Sequence, residues 1–146
     1  MLSDAALTHL AGYNARRVEL LLRQRFAERF KSLKLTRAEF SILMLTQSNE
    51  HVTQRELARV LGIPAPNLVK LIAGLEARSL IARERDPQDR RALRLVLTPL
   101  GQTRTREALK QAEALERDAA KRLTAAEYLQ LNHLLRQLLA VEPACL

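Results

Sequence analysis

The chain is poor in the residues that most often announce chemistry. Its one cysteine, Cys145, excludes an intrachain disulfide and fits a reducing cytoplasm. His9, His51 and His133 stand apart, none at metal-ligand spacing with another His or Cys. The four glycines, Gly12, Gly62, Gly74 and Gly101, build no phosphate-cradling loop. Glu113 and Glu116 are an i, i+3 pair on an exposed helix face, which reads as solvated charge. These absences weigh against an enzyme and leave no metal or cofactor to expect. No stretch approaches the ~20 apolar residues that cross a bilayer. The opening MLSDAALTHL lacks a cationic region, so no secretory signal is expected. A cytoplasmic protein with no membrane partner follows. There are no internal repeats and no low-complexity tracts.

What is present is leucine, alanine and charge, with only Tyr13, Phe26, Phe30, Phe40 and Tyr128 as aromatics, a composition that suits a mainly helical fold. The 146 residues fit one domain with a modest core. Net charge is +8. Residues 53–98 hold nine Lys/Arg against five Asp/Glu, and residues 1–35 hold seven against three, so each stretch carries +4. A basic excess argues for a polyanionic partner, nucleic acid or an anionic surface. Arginine far outnumbers lysine, which favours bidentate recognition of phosphates and guanine edges.

The chain is organised around residues 53–98. Thr53 and Glu56 have capping-box spacing, so a helix begins at Gln54. Leu57, Ala58, Val60 and Leu61 give it an apolar face, and Gly62 is placed to end it at positive φ. A second helix follows, with Leu68, Leu71, Ile72 and Leu75 in one stripe. Leu57, Leu61, Ile63, Leu68 and Leu71 can fill the core between the two, with the small Ala58 where they cross. This much reads equally as a helix-turn-helix or an ordinary αα-hairpin. Ile81–Arg85 and Ala92–Leu97 then read as strands, with Leu93, Leu95 and Leu97 on one face. Between them lies the polar turn Asp86-Pro87-Gln88-Asp89-Arg90-Arg91. Helix-turn-helix plus β-hairpin is a winged helix.

The strings LARVLGI, LVKLIAGLEARSLI and DPQDRRALRLVLTPLG together resemble the MarR family of bacterial transcription regulators. The wing string is the specific part, with Asp89-Arg90-Arg91, the alternating strand, Leu97-Thr98 and Gly101 at the family's spacing. The resemblance covers nearly the whole chain. Two departures stand out. Ile63-Pro64-Ala65-Pro66 offers no capping side chain at the second helix, and Ser79 replaces the usual glycine before the wing, at a cost of about 1 kcal/mol if the site is left-handed.

The flanks are helical too. Ser3 can cap a first helix running to about Leu33, a rod of ~45 Å. Thr36 and Glu39 cap a helix through about Thr46, with Phe40, Ile42 and Leu43 facing the core. Thr98-Pro99 opens a long helix to about Leu123 with a seam of Leu100, Ala108, Ala112, Leu115 and Ala119. Thr124 and Glu127 cap a last helix whose Leu131, Leu134, Leu135, Leu138 and Leu139 are one-sided, and Pro143 ends it. Length and amphipathicity alone fit a dimer or a bundle. The resemblance implies the dimer: one domain over 1–146, mainly α with a small β-hairpin wing, in which 36–98 form a winged helix-turn-helix lobe and 1–35 with 99–146 form long dimerisation helices.

A recognition helix reads base edges with its N-terminal residues. Here these are Ala65, Pro66, Asn67, Val69 and Lys70, on the face away from the leucine stripe. Asn67 suits adenine, Lys70 guanine or a phosphate, and Ala65 and Val69 a thymine methyl. Thr53, Gln54 and Arg55 start a helix whose free N–H groups can hold a phosphate. The resemblance implies that Arg91 enters the minor groove, braced by Asp89. A narrow A·T groove draws arginine in any case. Arg90, Arg85 and Arg94 are candidates for phosphate contact. The function implied is a ligand-responsive repressor acting as a homodimer on a pseudo-palindromic duplex. The alternative is a winged helix that binds only another protein. The resemblance further implies a small aromatic or lipophilic anionic effector between dimer helices and reading lobe, for which Tyr13, Arg16 and Arg17 are candidates. Cys145 is too close to the C-terminus for an N-terminal-helix redox switch.

Overall fold

The computed structural model describes residues 3–85 and 93–140, which form six α-helices and one β-hairpin. In order these are α1 (Ala11–Phe30), α2 (Arg37–Ser48), α3 (Gln54–Leu61), α4 (Ala65–Ala77), β1 (Ile81–Arg85), β2 (Leu93–Leu97), α5 (Pro99–Ala119) and α6 (Ala125–Ala140). The mainly helical fold with a small wing is as expected. The capping boxes of α2 and α3 form as read, each Thr hydroxyl accepting the N3 amide while the N3 glutamate accepts the Thr amide. The same pattern at Thr124 and Glu127 opens α6. Gly62 closes α3 at φ 62°.

The first helix departs from expectation. It does not run from Ser3 to Leu33 but starts at Ala11, after a 3-10 turn over Ala5–Leu7. Its 20 residues make a rod of ~30 Å. Local side-chain bonds compete with helix here. The Asn14 amide donates to the Thr8 carbonyl at 2.8 Å, and the Tyr13 hydroxyl donates to Asp4 at 2.8 Å, folding the N-terminal segment back onto α1. At its other end α1 stops at Phe30, and Lys34 takes the left-handed conformation at φ 52°. The fifth helix also ends early, at Ala119, because the extended Leu123 and the Thr124 cap start a new element.

The core sits where α1, α2, α4, the hairpin root and α5 converge. Phe26 and Phe30 stack at 3.6 Å between centroids, and Phe40 meets Phe30 edge-on at 5.4 Å. Ile42, Leu43, Leu57, Leu68, Ile72, Leu75 and Leu95 complete it, all at most 2 % exposed. Leu61, Ile63, Leu71 and Ala58 pack on its edge as the helix-turn-helix reading requires. Val60 does not: it is 57 % exposed, so the buried face of α3 is narrower than expected. Along α5 the expected seam holds at Ala108, Ala112 and Leu115 and departs from expectation at Leu100. Leu100 points outward, while Gly101, Thr105, Ala108 and Leu115 are buried.

Gly101 has a reason to be glycine. A Cβ there would lie 1.9 Å from the Leu80 carbonyl oxygen. The start of α5 is pressed onto the root of the wing. Thr98 fastens it, capping the Gly101 amide at 2.9 Å and donating to the Ser79 carbonyl at 2.5 Å. Ser79 is left-handed at φ 54°, as its glycine-like position implied.

Candidate nucleic-acid interface

Helices α3 and α4 meet at 117°, across the turn Gly62-Ile63-Pro64. Helix α4 is anchored by Leu68, Ile72 and Leu75, which are buried. Ala65, Pro66, Asn67, Val69 and Lys70 all lie exposed on the other side, so one solvent face carries every residue assigned to base contact. Its start is bare of a side-chain cap. Pro64 stands at the N-cap, and its carbonyl accepts the Asn67 and Leu68 amides at 2.9 and 3.0 Å. With Pro66 lacking a donor and the Asn67 amide already bonded, this terminus has little left to offer a phosphate.

The start of α3 is better equipped. The Thr53 amide is taken by Glu56 at 2.9 Å, which leaves the Gln54 and Arg55 amides without an acceptor among the described residues. Hydrogen bonds from Thr53 hold the Glu56 carboxyl below the ordinary glutamate range. The Gln54 side-chain nitrogen is enclosed with no partner, while Arg55 is exposed. A helix N-terminus with free amides and a neighbouring guanidinium favours an anion.

The wing is antiparallel, with Ile81 opposite Leu97 and Glu84 opposite Arg94. Leu95 is buried and bridges to Val52, tying the wing to the strand-like residue before α3. Leu93, at the outer end of that face, is 54 % exposed. Asp89, Arg90 and Arg91 lie outside the described residues. Arg85, at the end of β1, is exposed. Arg94 is used within the fold: it pairs with Glu84 at 3.2 Å, reaches the Glu50 carbonyl at 3.5 Å, and is only 22 % exposed. It therefore braces the wing rather than standing free for a phosphate.

Two further braces were not read from the sequence. Arg83 grips Glu76 with both ends of its guanidinium, at 2.8 and 3.1 Å, holding the wing to the end of α4. Arg78 donates to the Gly74 carbonyl at 3.1 Å, to the Lys34 carbonyl at 2.6 Å, and to the buried carboxylate of Glu39. Partners seven and 39 residues apart have no local signature, so only the fold reveals them.

The three effector candidates on α1 are already occupied. Arg17 pairs with Asp4 and lies over the Tyr13 ring, while Arg16 pairs with Glu19 at 3.2 Å. The Tyr13 hydrogen bond, ahead of the nearby Arg17, keeps Asp4 below the usual aspartate range and pushes the Tyr13 phenol up.

Residues 33–92, from the end of the α1–α2 turn to the wing, match the family model described as MarR family. In structure, the chain is similar to the transcriptional repressor CouR bound to a 23-mer DNA duplex. That match has a TM-score of 0.86 and 33 % identity, over 94 % of this chain and 98 % of CouR. The chain belongs to the MarR family. It is a winged-helix transcriptional regulator by that membership. It is also similar to Bordetella bronchiseptica BpsR, whose DNA binding is regulated by 6-hydroxynicotinic acid, at TM-score 0.79 and 27 % identity over 88 % of this chain and 91 % of BpsR. Escherichia coli MarR in its apo form matches at TM-score 0.75 and 25 % identity, over 88 % and 96 % of the two chains. No single described helix of this MarR-family chain is long and apolar enough to cross a membrane. Among the described residues no group of His, Cys, Asp and Glu is arranged to hold a metal ion.

Proposed function

We propose that the protein is a sequence-specific repressor that binds double-stranded DNA as a homodimer and releases it when a small organic anion binds. The observation that carries the DNA reading is the outer face of α4. Five residues suited to base edges, Ala65, Pro66, Asn67, Val69 and Lys70, are exposed on a helix whose opposite face is locked into the core. CouR, solved on a DNA duplex and similar over nearly its whole length, supports the same reading. On this reading α4 of this chain lies in the major groove, Gln54 and Arg55, after Thr53, hold a backbone phosphate, and Arg91, braced by Asp89 with Arg90 beside it, enters the minor groove.

Residues 36–98 then form the reading lobe, and residues 1–35 with 99–146 the dimerisation part. Helix α6 buries none of its residues, and Leu138 and Leu139 are 67 % and 74 % exposed. Leu7, Leu10, Val18 and Leu21 are uncovered on the N-terminal side as well. So much uncovered apolar surface asks for a partner, and a second copy covers both patches at once. Two-fold symmetry requires a pseudo-palindromic duplex with half-sites about one turn apart, ~10–11 bp. Response to an anion is supported by BpsR and by the basic composition.

A binding titration of Asn67→Ala and Lys70→Ala against duplexes selected from a random pool tests the α4 assignment. Loss of a base contact costs about 1–3 kcal/mol and relaxes preference at one position, whereas loss of a phosphate contact weakens all sequences alike. Parent-like affinity and preference in both variants would remove α4 from the interface.

A further inference from the structure

The hairpin is held from both sides at a single rung. Arg83 and Leu95 are register partners across β1 and β2. On the β1 side, the Arg83 guanidinium donates to both carboxylate oxygens of Glu76, at 2.8 and 3.1 Å, near the end of α4. On the β2 side, the Leu95 amide donates to the Val52 carbonyl at 2.8 Å, one residue before the Thr53 cap of α3. One rung therefore spans the end of the recognition helix and the start of the helix before it. The covalent link from α4 to β1 is only 78–80, turning at the left-handed Ser79. That link fixes where the hairpin starts, not the angle at which it leaves.

An exposed ion pair adds little to stability, and this one is open to water, with Arg83 36 % and Glu76 30 % exposed. What it adds is direction. A planar guanidinium that meets both oxygens of one carboxylate sets an orientation as well as a distance. With both anchors in place the hairpin has no free axis. With one removed, it can roll about the other.

We propose that Arg83 and Glu76 form a positioning clamp for sequence reading. The clamp fixes the angle between wing and recognition helix, and so the number of base pairs between the core read by α4 and the flank read by the wing. This deepens the regulator reading above and rests on it. Neither side chain has to touch a base. One base-pair step is about 3.4 Å along a strand, so a wing displaced by that much meets the neighbouring step. A hairpin freed of the clamp spends only part of its time in the docking pose, and affinity falls by that fraction. A pose held about a tenth of the time weakens each half-site about tenfold. Preference within the core is kept.

The test compares the full-length parent and its variants on two duplexes: the one the parent selects, and a copy with one base pair inserted between core and flank of each half-site. Insertion should cost the parent about tenfold or more per half-site, as loss of a base contact does. Glu76→Ala should bind the selected duplex about tenfold more weakly, yet lose less than about threefold on insertion. Its urea midpoint should stay near the parent's, which separates positioning from folding. The swap Glu76→Arg with Arg83→Glu should restore the insertion penalty. The clamp is also read without DNA. Spin labels at Val69→Cys and Arg85→Cys, both exposed positions, report the distance from α4 to the end of β1. They are placed in a Cys145→Ser background diluted with unlabelled chain. The distance distribution should be narrow with the clamp intact, broad with Glu76→Ala and narrow again in the swap. An insertion penalty or a distance distribution that Glu76→Ala leaves unchanged overturns the clamp. So does a swap that restores nothing while Arg83→Gln weakens all sequences alike and flattens the salt dependence, since Arg83 is then itself a phosphate contact. A parent that prefers no duplex over a scrambled one defeats the regulator reading instead, and leaves the label distances as they are.

Discussion

Gly101→Ala tests how the wing and α5 are joined. The added methyl would sit 1.9 Å from the Leu80 carbonyl oxygen and 2.8 Å from its carbon, and both are backbone atoms that no rotamer change can move. An ordinary contact needs about 3.2 Å or more, so α5 must retreat from the root of β1 by more than 1 Å, a distance at which dispersion contacts are largely forfeited. The displacement also pulls on the Thr98 cap, whose hydroxyl serves Gly101 at 2.9 Å and the Ser79 carbonyl at 2.5 Å. Overpacking of this kind costs about 1–3 kcal/mol. Loss of the cap adds ~1 kcal/mol. A total of about 2–4 kcal/mol is a large share of the 5–15 kcal/mol by which such chains are stable. Urea denaturation followed by far-UV circular dichroism reads this as a lower midpoint at unchanged slope. A Gly101→Ala chain within 0.5 kcal/mol of the parent, roughly the effect of a neutral surface change, would show that the α5–wing contact is not tight.

Three further outcomes follow from local geometry. Ser79→Gly should raise stability by about 0.5–1 kcal/mol, because Ser79 is left-handed at φ 54° without needing its side chain there; a lower urea midpoint would contradict this. Leu135→Asp with Leu138→Asp should yield a monomer in light scattering, since both leucines are exposed on α6, and an unchanged dimer mass would move the interface elsewhere. The carboxyls of Asp4, Glu56, Asp118 and Glu127 are lowered, by Tyr13, Thr53, Lys121 and the Thr124 amide respectively. A lowered folded pKa gives stability that is fully present above the unfolded value, near 4, and lost as pH falls through the folded one. The urea midpoint should therefore be flat from pH 7 to about 5 and fall below about 4; a midpoint rising with acid would refute the cap assignments.

Much of the fold was legible because its signals are local. Thr36–Glu39, Thr53–Glu56 and Thr124–Glu127 each specify a helix start through residues three apart, and Gly62 marks its own turn. The wing register follows from the two strand boundaries. Errors arose where a side chain some residues away decided the outcome. Asn14 and Tyr13 break the first helix by reaching back to Thr8 and Asp4. Leu100 is a better apolar residue than Gly101, yet Gly101 faces inward because only it fits against Leu80. The exposed face of α4 was readable from the leucine stripe alone. The Arg78 and Arg83 braces were not, since their partners Glu39 and Glu76 are brought near only by tertiary packing, whereas Arg94 meets Glu84 through the hairpin register.

Direct comparison of duplexes tests the central claim, that this chain reads DNA sequence. Duplexes selected by the protein from a random pool are titrated by fluorescence anisotropy beside scrambled duplexes of equal length, across a range of salt. Two chains per duplex are expected, with the selected sequence bound at least ~10³-fold more tightly than the scrambled one. Affinity for both should fall steeply as salt rises, because several arginines displace condensed cations. Equal affinity for selected and scrambled duplexes, or binding that ignores salt, would contradict the account and favour a winged helix that binds protein instead.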